Sequence, residues 1–336
     1  MGGDFAPSAP VSGALRALRD LDSSHVVQLV GKADVLEREL AAHGAEGAAL
    51  RGRIEVVDAS DVITMSDRPT AVLRGKPDNS ISVGLRLQAE GKSDAFVSAG
   101  STGAQMAASV MLLKLHAGLT RPAIATVFPT GGRSLVFLDA GANVDCSARE
   151  LLQFAWLGST YAEAVLGRQD PNVGLLSIGE EPEKGNAVVK EAHALFTAAA
   201  FNFIGNVEGR DIPRGESAAG RLDVVVCDGF VGNAILKFYE AVMPMVLAVL
   251  RRHAGINESH ISEALAEFDQ SRYGAAPLLG VKGISMICHG NSDPSAICVA
   301  IRDAVLAAES GMNEMMGERL SAMAGAGAGT STSTVA

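Results

Sequence analysis

Residues 222–237, LDVVVCDGFVGNAILK, decide the fold. The stretch opens on a β-branched apolar run, Val224-Val225-Val226, and breaks at Cys227-Asp228-Gly229. It then passes through Phe230-Val231-Gly232-Asn233 into a helical pattern. A short run that is apolar throughout, not alternating, suits a strand covered on both faces, as in a parallel sheet. Open α/β sheets place ligands at such strand-turn-helix junctions. Glycine lets backbone come close to a ligand, and the first N–H groups of a helix are unpaired and favour an anion. Turn geometry alone also asks for Asp and Gly, so both readings stand here.

Working outward, strands and helices alternate. Helices are expected at 12–20, 33–43, 81–90, 105–114, 148–165, 187–198, 233–253, 262–268 and 294–309. Strands are expected at 25–30, 54–57, 95–98, 122–129, 134–139, 173–178, 224–226 and 284–288. The alternation predicts an α/β fold with a mostly parallel sheet. Thr130-Gly131-Gly132-Arg133 marks one hairpin. Pro244 is expected to kink or break the long helix that contains it. Residues 274–283 read as a loop. The tail after Met323, AGAGAGTSTSTVA, offers nothing to bury and reads as disordered at 324–336. Residues 1–323 are then one domain, with room for two lobes around a cleft and a helical projection at about 237–273.

Composition narrows the function. The chain has 336 residues, 48% of them hydrophobic, and a net charge of −10. The acidic balance argues against nucleic-acid binding, which needs clustered cations. Cys146, Cys227, Cys288 and Cys298 have no metal-ligand spacing and read as reduced thiols, so a cytoplasmic location and no metal are expected. The start, MGGDFAPSAP, lacks a signal-peptide pattern. No run of about 18 uncharged apolar residues is found, so no membrane span is expected.

Six polar segments, 99–104, 139–143, 179–186, 206–211, 228–233 and 289–293, mostly follow predicted strands. Parallel strands would bring such exits to one edge. Gly100, Ser101, Thr102 and Gly103 form a small-residue turn suited to an oxyanion or phosphate, without the Walker lysine. Asp139, Gly141 and Asn143 sit at the exit LDAGAN. Lys184 is the prominent cation of these exits, followed by Gly185 and Asn186. Its segment is either an acid-rich helix start or an anion site. Arg68, Arg74 and Lys76 form a basic loop that faces either solvent or an anionic partner.

Together MGGDFAP, SAGSTGA, LDAGAN, SIGEEPEKGN, NFIGNVEGRDI, VVVCDGFVGNAILK, GAAPLLGVKG and HGNSDPSAI resemble the bacterial acyl-carrier-protein-dependent phosphate acyltransferases. The resemblance runs from Met1 to about Ala308, with the motifs in family order. It implies a three-layer α/β/α fold like that of the isocitrate dehydrogenase and phosphotransacetylase group. It implies transfer of a long-chain acyl group from acyl-ACP to inorganic phosphate, giving the acyl phosphate used in phospholipid synthesis. No cofactor is implied. The implied partners are acyl carrier protein, a second copy of the chain, peripheral contact with the inner membrane face, and the downstream glycerol-3-phosphate acyltransferase.

The chemistry needs little more than positioned donors, because phosphate is already a nucleophile and a thiolate leaves readily. Lys184 is expected to hold phosphate or the developing oxyanion, and Asn233 to complete the oxyanion site. Asp228 and His289 would orient these groups or move a proton. Asn206 and the turns named above would line the phosphate site. Acyl carrier protein has an acidic surface, so its user needs a basic patch, for which Arg68, Arg74 and Lys76 are the candidates.

The chain departs from the family in three places. Members carry a strand ending Asp-Ala before MGGD, so an upstream strand is expected to belong to the native product. Ser101 stands where the family has Asn, and the 237–273 segment is shorter. Two other readings stay open: an acyl-CoA-dependent phosphotransacetylase-like enzyme, and a non-catalytic acyl-ACP binding protein.

Overall fold

The computed structural model describes residues 1–69, 72, 75–253 and 274–328. Two compact units are present, residues 1–114 with 270–309, and residues 115–269 with 310–336. The first unit begins with α1 (Ser8–Asp20), β1 (Val27–Gly31), α2 (Ala33–Ala42), α3 (Gly44–Leu50), β2 (Ile54–Asp58), α4 (Ser80–Ala89), β3 (Ala95–Ser98) and α5 (Thr102–Leu112). The second follows with β4 (Ala123–Phe128), β5 (Leu135–Leu138), α6 (Ala148–Ala164), β6 (Val173–Leu176), α7 (Ala187–Thr197) and β7 (Phe203–Val207). It continues through β8 (Glu216–Ser217), β9 (Gly220–Arg221), β10 (Val224–Val226) and α8 (Gly229–His253). The chain returns to the first unit for β11 (Ala276–Leu279), β12 (Ile284–Ile287) and α9 (Pro294–Glu309), and closes in the second with α10 (Met312–Ala328).

In the first unit β1 and β2 run parallel, as do β3 and β12, while β11 is antiparallel to β12. Helix α1 buries Val11, Ala14, Leu15 and Leu18 against Leu29 of β1 and Leu36 of α2. That three- and four-residue spacing is one face of a helix. Helix α4 starts where it does because buried Asn79 caps it, its Oδ1 accepting from Ser82 N at 2.9 Å. Asn79 Nδ2 donates to the Val72 carbonyl at 2.8 Å, so one side chain fixes both the helix start and the loop before it.

A cavity of about 660 Å³ lies in this unit, lined on one side by β1 and on another by β3, with Ile297 and Ile301 of α9 and Pro10 and Ala14 of α1 completing it. Among the described residues β1 pairs only with β2, and β3 only with β12, so each turns one edge without a strand partner toward the cavity. Met1 stands at the C-terminal ends of both strands: a Cβ at Gly31 would meet its Cγ at 2.6 Å, and one at Gly100 would lie 3.8 Å from its carbonyl oxygen. Burial pushes the Met1 ammonium below its ordinary pKa.

In the second unit the strand order is β4-β5-β10-β6-β7. Every neighbouring pair is parallel except the β4–β5 hairpin. The register explains why β10 is apolar on both faces. Val224 and Leu138 point to one side, where they press on Gly158 of α6 at 2.7 and 2.8 Å from its notional Cβ. Val225 pairs with Phe137 on the other side, in a cluster with Ile235, Leu236 and Tyr239 of α8. Helices therefore cover both faces, the three-layer arrangement expected from the sequence. Each buried valine of β10 contributes about 1.5–3 kcal/mol by leaving water.

Several elements differ from the sequence reading. Residues 276–279 are a strand, β11, not part of a loop. Helix α8 begins at Gly229, four residues early, and stays helical through Pro244. Residues 324–328 belong to α10, not to the disordered tail expected from 324, and the rest of that tail, 329–336, lies outside the described residues. Helix α3 and the β8–β9 hairpin were not expected. The predicted helix at 262–268 and part of the 237–273 projection lie outside the described residues. The span Gly229–Leu250 is long and apolar enough to cross a membrane, with mean hydropathy 1.5, because it tolerates Lys237 and Glu240 within its length.

Candidate active site

In the second unit β5, β10, β6 and β7 are parallel neighbours, so the segments leaving their C-terminal ends share one edge. The segment after β5 is organised by Asp139, whose side chain is fully buried. Its Oδ1 accepts from the backbone N–H of Ile124 at 3.0 Å, Gly141 at 3.3 Å and Ala142 at 3.1 Å. Its Oδ2 accepts from Asn143 N at 2.7 Å and Asn143 Nδ2 at 2.9 Å. Burial raises the Asp139 pKa, against these donors, which favour the anion. Asn143 Nδ2 also donates to the Pro122 carbonyl at 2.8 Å, and the Asn143 carbonyl accepts from Gly229 N at 2.8 Å. Asn143, a predicted ligand residue, is thus a buried strut.

The first turn of α8 lies directly on this structure. A Cβ at Gly232 would fall 1.9 Å from the Asp139 carbonyl oxygen. One at Gly229 would fall 2.5 Å from the Asn143 oxygen and 2.7 Å from Asp139 Oδ2. Only glycine allows the helix to sit so close. Asp228 caps this helix, its Oδ1 accepting from Val231 N at 2.9 Å. Asn233 follows at the end of the turn, exposed, with its side chain 3.2–3.4 Å from the notional Cβ of Gly141. Its amide has no hydrogen-bond partner among the described residues. Cys146 and Cys227 flank the turn, but burial pushes the Cys146 thiol up to about 12 and the Cys227 thiol well above its ordinary value. Both stay protonated at neutral pH and are poor nucleophiles.

The next exit, after β6, carries Lys184. Its backbone N–H bonds the Glu181 carbonyl at 3.0 Å, and its side chain crosses back over Gly179. The ammonium is exposed, with no ion pair among the described residues. Gly185 has φ +98°, and Asn186 caps α7 through Val189 N at 2.9 Å. Buried Asn206 of β7 supports the loop, donating from Nδ2 to the Glu181 carbonyl at 2.9 Å. Its Oδ1 lies 3.0 Å from Nδ1 of His193, a partner that sequence reasoning did not single out.

The other predicted residues lie in the first unit, at the exits of the parallel neighbours β3 and β12. Gly100 N bonds Ser98 Oγ at 3.1 Å. Ser101 caps α5 through Ala104 N at 3.5 Å, and Thr102 and Gly103 open the helix. His289 is exposed at the β12 exit. Lys76 is held by Asp67 at 2.7 Å and the Val62 carbonyl at 2.9 Å, and it draws the Asp67 pKa to about 2. Arg68 is exposed, and Arg74 lies outside the described residues.

The second unit thus brings Asn143, Asp228 and Asn233 around one buried carboxylate and sets Lys184, Gly185, Asn186 and Asn206 on the next exits. Residues 1–315 match the model of a family described as "Fatty acid synthesis protein". The phosphate acyltransferase of Heliobacterium modesticaldum is 46% identical over 312 residues, 90% of each chain. That of Desulforamulus reducens is 44% identical over 329 residues, 95% of each. Among solved structures, a Streptococcus pyogenes phosphotransacetylase aligns with TM-score 0.60 at 18% identity, over 90% of this chain and 92% of that one. A branched-chain phosphotransacylase from Enterococcus faecalis aligns with TM-score 0.60 at 15% identity, over 91% and 96%. These likenesses carry the fold, while the sequence relatives carry the chemistry. The chain belongs to the phosphate acyltransferase family and is an acyltransferase of fatty acid and phospholipid synthesis.

Proposed function

We propose that the chain transfers a long-chain acyl group from acyl carrier protein to inorganic phosphate, releasing acyl phosphate and the carrier thiol. The observation that carries this reading is the pair Lys184 and Asn233. Both are exposed on exits of neighbouring strands, and both have polar groups without a partner among the described residues. Lys184 holds the phosphate. One phosphate oxygen attacks the thioester carbonyl carbon, and Asn233 donates to the oxygen that becomes anionic. The intermediate then collapses, the C–S bond breaks, and the thiolate leaves. A preorganised donor of this kind is worth about 10²–10³ in rate. Asp228 acts by holding the first turn of α8, which supports a positioning role over proton transfer. The exposed side chains of Phe238, Met245 and Val249 on α8 support self-association and peripheral contact at the inner membrane face.

An acyl-CoA donor is the second reading, favoured by the engagement of Lys76 with Asp67, which leaves Arg68 as the accessible cation of the described basic loop. Phosphate-dependent release of thiol from palmitoyl-ACP, run beside palmitoyl-CoA, separates the two. Turnover of the ACP thioester with a product trapped by hydroxylamine is the expected result. Turnover of the CoA ester alone would transfer the assignment to the second reading, and binding of acyl-ACP without turnover would make the chain a carrier-binding protein.

A further inference from the structure

Asp139 has no place in the chemistry above, yet it is the most heavily bonded side chain of the second unit's strand exits. Five N–H groups from four residues converge on its two oxygens, and no cation is among its bonded partners. What those bonds hold is the 141–143 turn, and the turn in turn touches Asn233. Gly141, at φ +126°, runs beneath the Asn233 side chain. Gly229 and Gly232 lie against the carboxylate and the carbonyl of the same aspartate. The Asp139 N–H bonds the Cys227 carbonyl at 3.0 Å, and the Cys227 N–H bonds the Leu138 carbonyl at 2.8 Å. Backbone and side chain of one residue therefore fix both surfaces that decide where the Asn233 amide stands. The Lys184 loop has separate supports, in Asn206 and the Asn186 cap.

We infer that Asp139 is a positioning residue for the acyl transfer: its buried carboxylate sets the height and direction of the Asn233 amide, and through it the stabilisation of the oxyanion, while phosphate binding at Lys184 does not depend on it. The inference rests on the assignment of Asn233 made above.

The test is a double-mutant cycle on the full chain with palmitoyl-ACP and inorganic phosphate. Asp139→Asn keeps the shape but turns an amide N–H₂ toward backbone N–H donors, which must move away. A displacement of about 1 Å at a reacting group costs about 10² in rate. D139N is expected to lose about that factor in kcat, while the KM for phosphate stays near its original value. In an Asn233→Ala background D139N should cost nothing further, because the group it positions is gone. A fall in phosphate affinity of the same size as the fall in kcat, or additive losses in the double variant, would overturn the proposal and leave the Asn233 assignment standing. If N233A alone keeps its turnover, the assignment of Asn233 fails and takes this proposal with it. Should D139N not fold, Asn143→Ala removes one donor to Oδ2 and leaves the four backbone donors in place. It should show a smaller kcat loss with the same absence of additivity, and additive losses there would equally overturn the proposal.

Discussion

Lys184 and Asp139 show what a single residue discloses before a structure is known. A cation in a glycine-rich strand exit is conspicuous, because it has no evident structural use, so Lys184 was singled out from the sequence, and the structure leaves it exposed. Asp139 was not, since an aspartate that accepts backbone N–H bonds has the same sequence signature as any turn aspartate. The Asp-x-Gly-x-Asn spacing after a strand was the available signal. Lys184→Ala is expected to lower kcat/KM for phosphate by about 10²–10³, the range found for removal of one charge-stabilising donor. Steady-state kinetics over a phosphate series would check it, and an unchanged value would remove Lys184 from the site. Asp303 of α9 gives a pH-dependent outcome. Burial raises its pKa from 3.8 to about 6. The folded state then holds its proton more tightly than the unfolded chain, so stability falls as pH rises from about 4 to about 6 and stays lower above that. Asp303→Asn should stabilise the protein by about 1–3 kcal/mol at pH 7 and by almost nothing near pH 3.5. Denaturant unfolding at the two pH values measures the difference.

Elements were read from the sequence with uneven success, for physical reasons. A strand buried on both faces announces itself as an apolar run, and β10 was placed to the residue, as was the partly buried β3. Strand β11 was missed because Ala276-Pro277-Leu278-Leu279 contains a proline that cannot donate to a ladder, in a segment dense in glycine. Helix α10 runs into a stretch of alternating Ala and Gly, whose weak helical preference pointed to coil. The start of α8 was read as a turn because Gly229 and Gly232 are poor helix formers, yet close contact with Asp139 outweighs propensity there. Gly232→Ala would place a methyl inside that contact. It should displace the first turn of α8, costing activity more than 10-fold and stability by about 1–3 kcal/mol. Thermal unfolding beside turnover would check both, and wild-type values would show that the contact yields. Asn79→Ala in α4 should cost about 1–2 kcal/mol through the lost cap, without changing KM for phosphate.

At the scale of the whole molecule, the alternation of strand and helix set the architecture, and polar exits on parallel strands singled out the edge that carries the candidate residues. The division into two units was left open by the sequence, because the chain crosses between them at Lys114–Leu115 and again near 270 and 310 without a change in composition. The cavity bounded by β1 and β3 was equally invisible, since it belongs to no single segment. Met1 stands at the C-terminal ends of both strands, so a chain extended ahead of it by about five apolar residues could run parallel to both. Such an extension is expected to slow hydrogen exchange of the β1 and β3 amides and to raise Tm, by about 2–4 °C for each kcal/mol gained. Unaltered exchange at both strands would show that an added segment does not pair with them. The same open edges have a practical meaning for anyone handling the protein. A strand edge without a partner is a template for a neighbouring molecule's strand. Here both edges look into the cavity, with α1 and α9 as its other walls, so clumping through Val27–Gly31 and Ala95–Ser98 is expected once mild heat or denaturant loosens those helices, and a ligand that fills the cavity would act as a preservative.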